Sequence, residues 1–185
     1  MMSQLINNFS LVSRLFGNLF LREPVDPILA GTFAWLQSQG LSQIWVLDVD
    51  DTSRNALDNI QMKLDLDALT VEYQSLFVGE FAKVDCRLSA YGLNVEEFMA
   101  FRQQRDLPTL DNADHFALLL LTASWLEDHV ESVEAQRELF ETFLLPCASR
   151  FLTQVESHSN LPFYRSLANL TREILAAMAD ELDEN

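Results

Sequence analysis

Residues able to carry chemistry fall in three places in this chain of 185 residues. The first is Ile44-Trp45-Val46-Leu47-Asp48-Val49-Asp50-Asp51-Thr52, an apolar run that delivers two carboxylates two positions apart. Presented by a strand, two carboxylates so spaced could do nucleophilic or general acid and base work. Read as a calcium loop, the same stretch fails, because Ser53 stands where glycine is required and Asn59 where a bidentate glutamate is required. The second place is Asp114-His115, a carboxylate beside an imidazole at the head of an apolar run, suited to recognition or proton transfer. The same two residues would equally serve a helix start, with Asp114 capping it and His115 packing sideways. The third place is the thiols. Cys86 and Cys147 lie far apart, form no C-x-x-C and make at most one disulfide, so neither a zinc site nor a secreted disulfide framework is indicated. His129 and His158 read as surface residues. No H-E-x-x-H, G-x-S-x-G or phosphate-cradling glycine loop is present, and we expect no catalytic constellation, metal site or cofactor.

The elements that must position these groups read as helices. Five Gly and five Pro are few for this length, and tight βα turns and hairpins lean on glycine. A hydrophobic fraction of 49% with 22% charged residues gives enough apolar surface for a compact core. From Leu5, the positions Phe9, Val12, Phe16 and Leu19 recur at spacings of four and three, which predicts a helix to about Leu21. Asp26-Pro27 predicts a second helix through Phe33 and Leu36 that stops near Gly40. Asp50 or Asp51 caps a third over Leu57 and Ile60, and Asp65 opens a fourth through Leu69, Tyr73, Leu76 and Phe77. Residues 79–92 read as a loop with one helical turn. Asn94 with Glu97 is a capping-box-like start, and Pro108 ends the helix that follows. Phe116 to Leu126 leaves almost no polar face, the mark of a helix enclosed by others. Further helices run through Leu139, Phe140 and Phe143 to Pro146, over Phe151 and Val155, and from Pro162 through Met178, with a solvated tail from Asp180 to Asn185. Pro, Thr, Asp and Asn cluster between two helical stretches, so residues 107–115 read as a hinge between lobes 1–110 and 111–185.

Charge and hydropathy exclude several partners. A formal net charge of −16 repels a phosphate backbone, so nucleic acid is excluded as the main partner. The same field steers cationic segments toward the surface. The longest apolar run, Phe116 to Leu121, is far short of a bilayer span, and Met1 to Arg22 lacks the pattern of a signal peptide. We expect a cytoplasmic protein that is not inserted in a membrane and keeps its N-terminus.

Two resemblances compete. Asp48-x-Asp50 resembles the first motif of haloacid-dehalogenase-type phosphatases, which implies Asp48 as the nucleophile that forms an aspartyl phosphate, Asp50 as the general acid and base, and a magnesium ion held by further carboxylates. The βαβ alternation, a second strand ending in Ser or Thr and a suitable lysine are all missing. Carboxylates at a helix N-terminus are the plain alternative. Against this stands a pattern that spans most of the chain. Tyr73-Gln74-Ser75-Leu76-Phe77-Val78-Gly79 resembles the Tyr/Trp-x-x-Leu-Phe-x-Gly stretch of the TorD/DmsD/NarJ redox-enzyme maturation chaperones. Asp114-His115 resembles that family's Asp-His hinge signature. Leu144-Leu145-Pro146, Phe151 and Pro162-Phe163-Tyr164 with Leu167 and Leu170 follow its closing pattern in order, and Trp125-Leu126-Glu127-Asp128 is similar to the YcdY-like branch.

The resemblance implies an all-α, two-lobed helical bundle of the TorD/DmsD type, either a monomer or a domain-swapped dimer. It implies no enzyme but a chaperone for a client metalloenzyme, molybdoenzymes included, or for its twin-arginine signal peptide. The family's client-binding positions fall on Tyr73, Leu76, Phe77, Asp114 and His115, with core packing the alternative for the first three. Two departures bear on the client. The family's Pro-Pro-Tyr-x-Ser-x-Tyr/Trp loop reads Asp85-Cys86-Arg87-Leu88-Ser89-Ala90-Tyr91 here, and its Pro-Trp reads Pro146-Cys147. Loss of the prolines predicts a less rigid loop and admits a cytoplasmic client beside an exported one.

Overall fold

The structure, a computed structural model, describes residues 4–130 and 132–185, with side chains from Asn8 onward. The Leu5 side chain, expected to begin the first apolar stripe, lies outside the described residues. Every regular element among the described residues is helical: α1 (Gln4–Leu21), α2 (Ala30–Gln37), α3 (Gly40–Ile44), α4 (Asp51–Gln61), α5 (Leu66–Phe77), α6 (Val95–Gln103), α7 (Ala117–His129), α8 (Val133–Leu139), α9 (Leu145–His158) and α10 (Pro162–Glu184). Short 3-10 turns cover Pro27–Leu29 and Leu88–Tyr91. The all-α fold expected from the glycine scarcity and the helical periodicities is the fold observed.

Helix starts follow their capping residues. Asp26, Asp50, Asp65 and Asn94 each accept hydrogen bonds from backbone N–H groups of the first turn that have no helical acceptor. At Asn94 the side-chain oxygen takes the N–H groups of Glu96 and Glu97 at 3.0 and 3.2 Å.

Four boundaries differ from the sequence expectation. Asp26-Pro27 opens a 3-10 turn before α2, and the break after α2 falls on Gln39, which takes the left-handed conformation (φ 64°). Gly40 then starts α3, and its lack of a side chain serves a close approach: a Cβ there would stand 2.1 Å from a ring atom of Trp35. Pro146 does not end a helix. Residues Phe140–Leu144 form a π turn in which the Leu145 N–H donates to the Phe140 carbonyl, and α8 runs through it into α9. Proline in a regular helix clashes with the carbonyl four residues back, and the wider turn relieves that clash. The C-terminal tail is helical to Glu184, with Leu182 buried and its carbonyl accepting from Arg137 at 2.7 Å.

One continuous apolar cluster draws on every helix from α1 to α10. At its centre α1 lies along α7. The predicted stripe Phe9, Val12, Phe16 and Leu19 is buried, and α7 is buried at Ala117, Leu119, Leu120, Thr122 and Ala123. Small residues let the two backbones approach: a Cβ on Gly17 would stand 2.8 Å from Leu121 Cδ2 and 3.2 Å from the Ala117 carbonyl oxygen. Ser13 donates to the Leu120 carbonyl at 2.7 Å, and the Ser10 and Ser124 hydroxyls meet at 3.0 Å. Helix α4 packs similarly on α10, with Asn59 donating to Ser166 at 3.2 Å. Elements from both sides of residues 107–115 therefore share this core.

Candidate functional site

The carboxylate pair at Asp48 and Asp50 stands on no strand. Residues 45–50 are irregular and join α3 to α4. Asp50 caps α4, accepting from Ser53 N–H at 2.8 Å and Ser53 O–H at 2.9 Å, and these bonds hold its pKa below the ordinary value. Asp48 is exposed. The phosphatase reading thus loses the platform that its nucleophile requires. Among the described residues no group of three or more His, Cys, Asp and Glu side chains is placed to hold a metal ion.

The two stretches that carry the chaperone resemblance meet. The C-terminal end of α5 and the following turn, where Gly79 adopts φ 84°, run alongside the segment leading into α7. Between them lies a groove of about 590 Å³ lined by Phe77, Gly79, Glu80, Ala82, Val84, Asp85, Cys86, Arg87, Asn112, Asp114 and His115. Phe77, Asp114 and His115 thus face one space. Tyr73 and Leu76 do not line this groove; both are buried, and Tyr73 donates from its hydroxyl to the Phe20 carbonyl at 3.0 Å. Burial pushes the Tyr73 phenol well above its ordinary pKa.

Phe77 joins the groove to the core. It is half-buried and touches the aromatic cluster of Tyr73 (ring centroids 5.2 Å apart), Tyr164 (5.4 Å), Phe20 (6.2 Å) and Phe151 (6.4 Å). Phe151 in turn stacks on Phe116 at 4.0 Å, one residue beyond His115.

Asp114 is fixed by the 3-10 turn that follows the groove wall. Its carboxylate accepts the Ser89 N–H at 2.9 Å and the Ser89 O–H at 2.6 Å. His115 accepts the Ala117 N–H at its Nδ1, 3.0 Å away, which leaves the proton on Nε2. Burial lowers the His115 pKa to about 4 against the opposing pull of Asp114, so the ring is neutral near pH 7. The groove wall itself is tied by Asp85, which pairs with Arg87 at 2.7 Å, and that pairing lowers the Asp85 pKa. The Tyr91 hydroxyl donates to the Asp85 carbonyl at 2.6 Å, and the Phe116 N–H donates to the Cys86 carbonyl at 2.8 Å. Cys86 is buried, its thiol pushed up to about 12 by desolvation, and it is therefore a poor nucleophile. Around the groove three carboxylates, Glu80, Asp85 and Asp114, face one guanidinium, that of Arg87.

Sequence reasoning missed Ser89 and Asp85 as partners in this arrangement. Ser89 was legible as the one polar residue retained from the family's loop. Asp85 was not, because it replaces a proline. Where the family's prolines restrict the loop covalently, this chain restricts it with an ion pair and side-chain bonds to backbone.

No family model matches the chain. Among curated proteins it is 63% identical over 179 residues to an uncharacterized protein of Haemophilus influenzae, covering 97% of each. It is 38% identical over 185 residues to the chaperone protein YcdY of Escherichia coli, covering 97% of this chain and 98% of that one. The chain belongs to the TorD/DmsD family, in its YcdY-like branch. The probable Tat proofreading chaperone DmsD of Haemophilus influenzae shares 26% over 203 residues, with 100% and 96% covered. The TorD/DmsD family consists of redox-enzyme maturation chaperones, and this member is a chaperone that binds a client protein and is not an enzyme. No helix among the described residues is long and apolar enough to cross a membrane.

Proposed function

We propose that this protein works in the cytoplasm and binds either the twin-arginine signal peptide of a client metalloenzyme or a segment of the client itself, before cofactor insertion or export. The observation that carries the proposal is the convergence of Phe77 with Asp114 and His115 on one groove with an acidic rim. A signal peptide offers a basic pair followed by an apolar, helix-forming stretch. Phe77 and Ala82 supply apolar wall for the stretch, and Glu80 and Asp85 supply carboxylates for the basic pair. Phe81, on the same turn, is 91% exposed and adds an aromatic contact at the rim. In this reading Tyr73 and Leu76 act through Phe77, holding its ring from below. Ordering a flexible peptide costs roughly 2–5 kcal/mol, which keeps affinity moderate and lets the client leave.

A fluorescent synthetic twin-arginine signal peptide tests this. Phe77→Ala should weaken binding about tenfold or more, the scale of one buried aromatic contact, with helical circular dichroism retained. Glu80→Gln, which removes a carboxylate offered to the basic pair, should leave binding less sensitive to salt. Variants that stay folded and bind as wild type does would overturn the site. The loop departure favours a second reading, a client that is never exported. In that case pull-down from native cytosol with mass spectrometry identifies a metalloenzyme lacking a signal peptide, and the same variants lose it.

A further inference from the structure

Arg102 in α6 and Arg105 just past its end each lie over a phenylalanine ring, but only Arg105 has an ion-pair partner. Arg105 lies over the Phe101 ring, 3.8 Å from its centroid, and pairs with Glu138. Arg102 is buried, with 8% of its surface exposed, and its guanidinium lies 5.9 Å from the centroid of the Phe98 ring. One terminal nitrogen donates to Thr122 Oγ1 on α7, and the other donates to the Pro108 carbonyl at 3.0 Å. Both acceptors are neutral. Among the described residues no carboxylate lies within ion-pairing distance of Arg102. Burial alone lowers its pKa, with no neighbouring charge acting on it.

A buried cation without an anion is costly, and folded proteins normally pair it. Arg102 lines a pocket of about 140 Å³ whose other walls include Leu107, Pro108, Thr109 and Leu110. This pocket shares no residue with the client groove. It is far smaller than the ~300 Å³ or more that drug-sized ligands occupy, so it suits a small group. The guanidinium fork carries five N–H donors in a plane and matches a carboxylate with two parallel bonds. Arg102 is the one cation in the pocket's lining and balances one negative charge, whereas the second charge of a phosphate would stay unpaired.

We propose that Arg102 and the 107–113 segment form a carboxylate-binding site, filled either by a small free carboxylate or by an Asp or Glu side chain of a bound protein. Occupancy ties α6, α7 and the linker together through one ion and stiffens the connection between the two halves of the sequence.

The test is titration of the full-length, nitrogen-15-labelled protein with sodium acetate at constant ionic strength, read at the Arg102 Nε–Hε signal and the Leu110 and Ala113 amides. A saturable shift with acetate, and none with acetamide or chloride, is the expected result. Arg102→Lys should weaken acetate about tenfold or more, the loss of one charge-assisted bond. Because Arg102 variants risk misfolding, Thr109→Phe provides a second check: Thr109 is exposed, so a bulky ring there should block the pocket and abolish the acetate response in a folded protein. Blocked glutamate (N-acetyl, C-amide) separates the sources: tighter binding than acetate identifies a protein side chain, and equal binding a free carboxylate. No saturable shift with acetate or blocked glutamate, or the same shift with acetamide, would overturn the site and leave Arg102 as a clamp between α6, α7 and Pro108.

Discussion

The α1–α7 seam and the groove beside Asp114 use similar small polar side chains for opposite ends. In the seam, Ser13 and Ser10 donate to helical carbonyls that already receive helical N–H groups, so their bonds supplement a satisfied backbone. What the seam requires of Ser10, Ser13 and Gly17 is small size, which lets two helices approach closely. In the groove, backbone N–H groups at Ser89 and Phe116 have no helical partner, and the Asp114 carboxylate and the Cys86 carbonyl supply one. The seam is held by burial, and the groove wall by individual polar bonds that leave apolar surface open. A binding surface is more readily built on the second kind of structure, because its side chains are not consumed by the core.

The largest expected effect separates the two halves. The two-lobe division with a hinge at 107–115 is a proposal that separate expression of residues 1–110 and 111–185 tests. Since α1 lies on α7 and α4 on α10, each fragment should show mostly unfolded circular dichroism alone, and mixing the two should restore helix. A fragment that unfolds cooperatively by itself would instead make the lobes autonomous.

Next in size is Phe151→Ala, which removes the ring stacked on Phe116 and edge-on to Phe20. Denaturant unfolding should show a loss of about 3–5 kcal/mol, the usual cost of truncating a buried aromatic residue. The equivalent change at half-buried Phe77 should cost less stability and more client binding, which keeps seam and groove distinct.

A pH effect at the groove follows from His115. Its folded pKa of about 4 lies below the ordinary 6.5, so the unfolded chain takes up a proton first as pH falls. The stability contribution is whole above about pH 6.5 and is lost as pH drops toward 4, up to about 3 kcal/mol at roughly 1.4 kcal/mol per pKa unit. Protonation at Nδ1 would also break the bond from the Ala117 N–H and set a positive charge at the positive end of α7. His115→Asn keeps an acceptor without titrating, and its stability should depend less steeply on pH between 6.5 and 4.

The smallest effect distinguishes neighbouring carboxylates. Asp50→Ala should lower the melting temperature through the lost cap, and Asp48→Ala should leave it unchanged, because Asp48 is exposed and caps nothing. A drop with Asp48→Ala would assign that side chain a role that its position does not explain.

Much of the fold was legible in the sequence because helices are local objects. Asp26, Asp50, Asp65 and Asn94 announce helix starts through bonds that span two or three residues, and the stripes at Phe9 to Leu19 and Phe163 to Met178 repeat with the helical period. The motifs also singled out Tyr73, Leu76, Phe77, Asp114 and His115, of which the fold brings Phe77, Asp114 and His115 to one groove. Residues joined across the chain were hidden. Nothing near Asp114 in sequence names Ser89 as its partner, and nothing in the α5 period separates buried Tyr73 and Leu76 from groove-facing Phe77, since all three are apolar or aromatic. Pro146 read as a stop, because a penalty for proline in a regular helix says nothing about a widened turn that removes the clash. The sequence by itself determined which segments are helical and which faces are apolar, since both follow from interactions within four residues. Only the tertiary structure decided which apolar faces meet, which polar groups are spent on the backbone and which remain at the groove, because those outcomes depend on contacts between residues far apart in the chain.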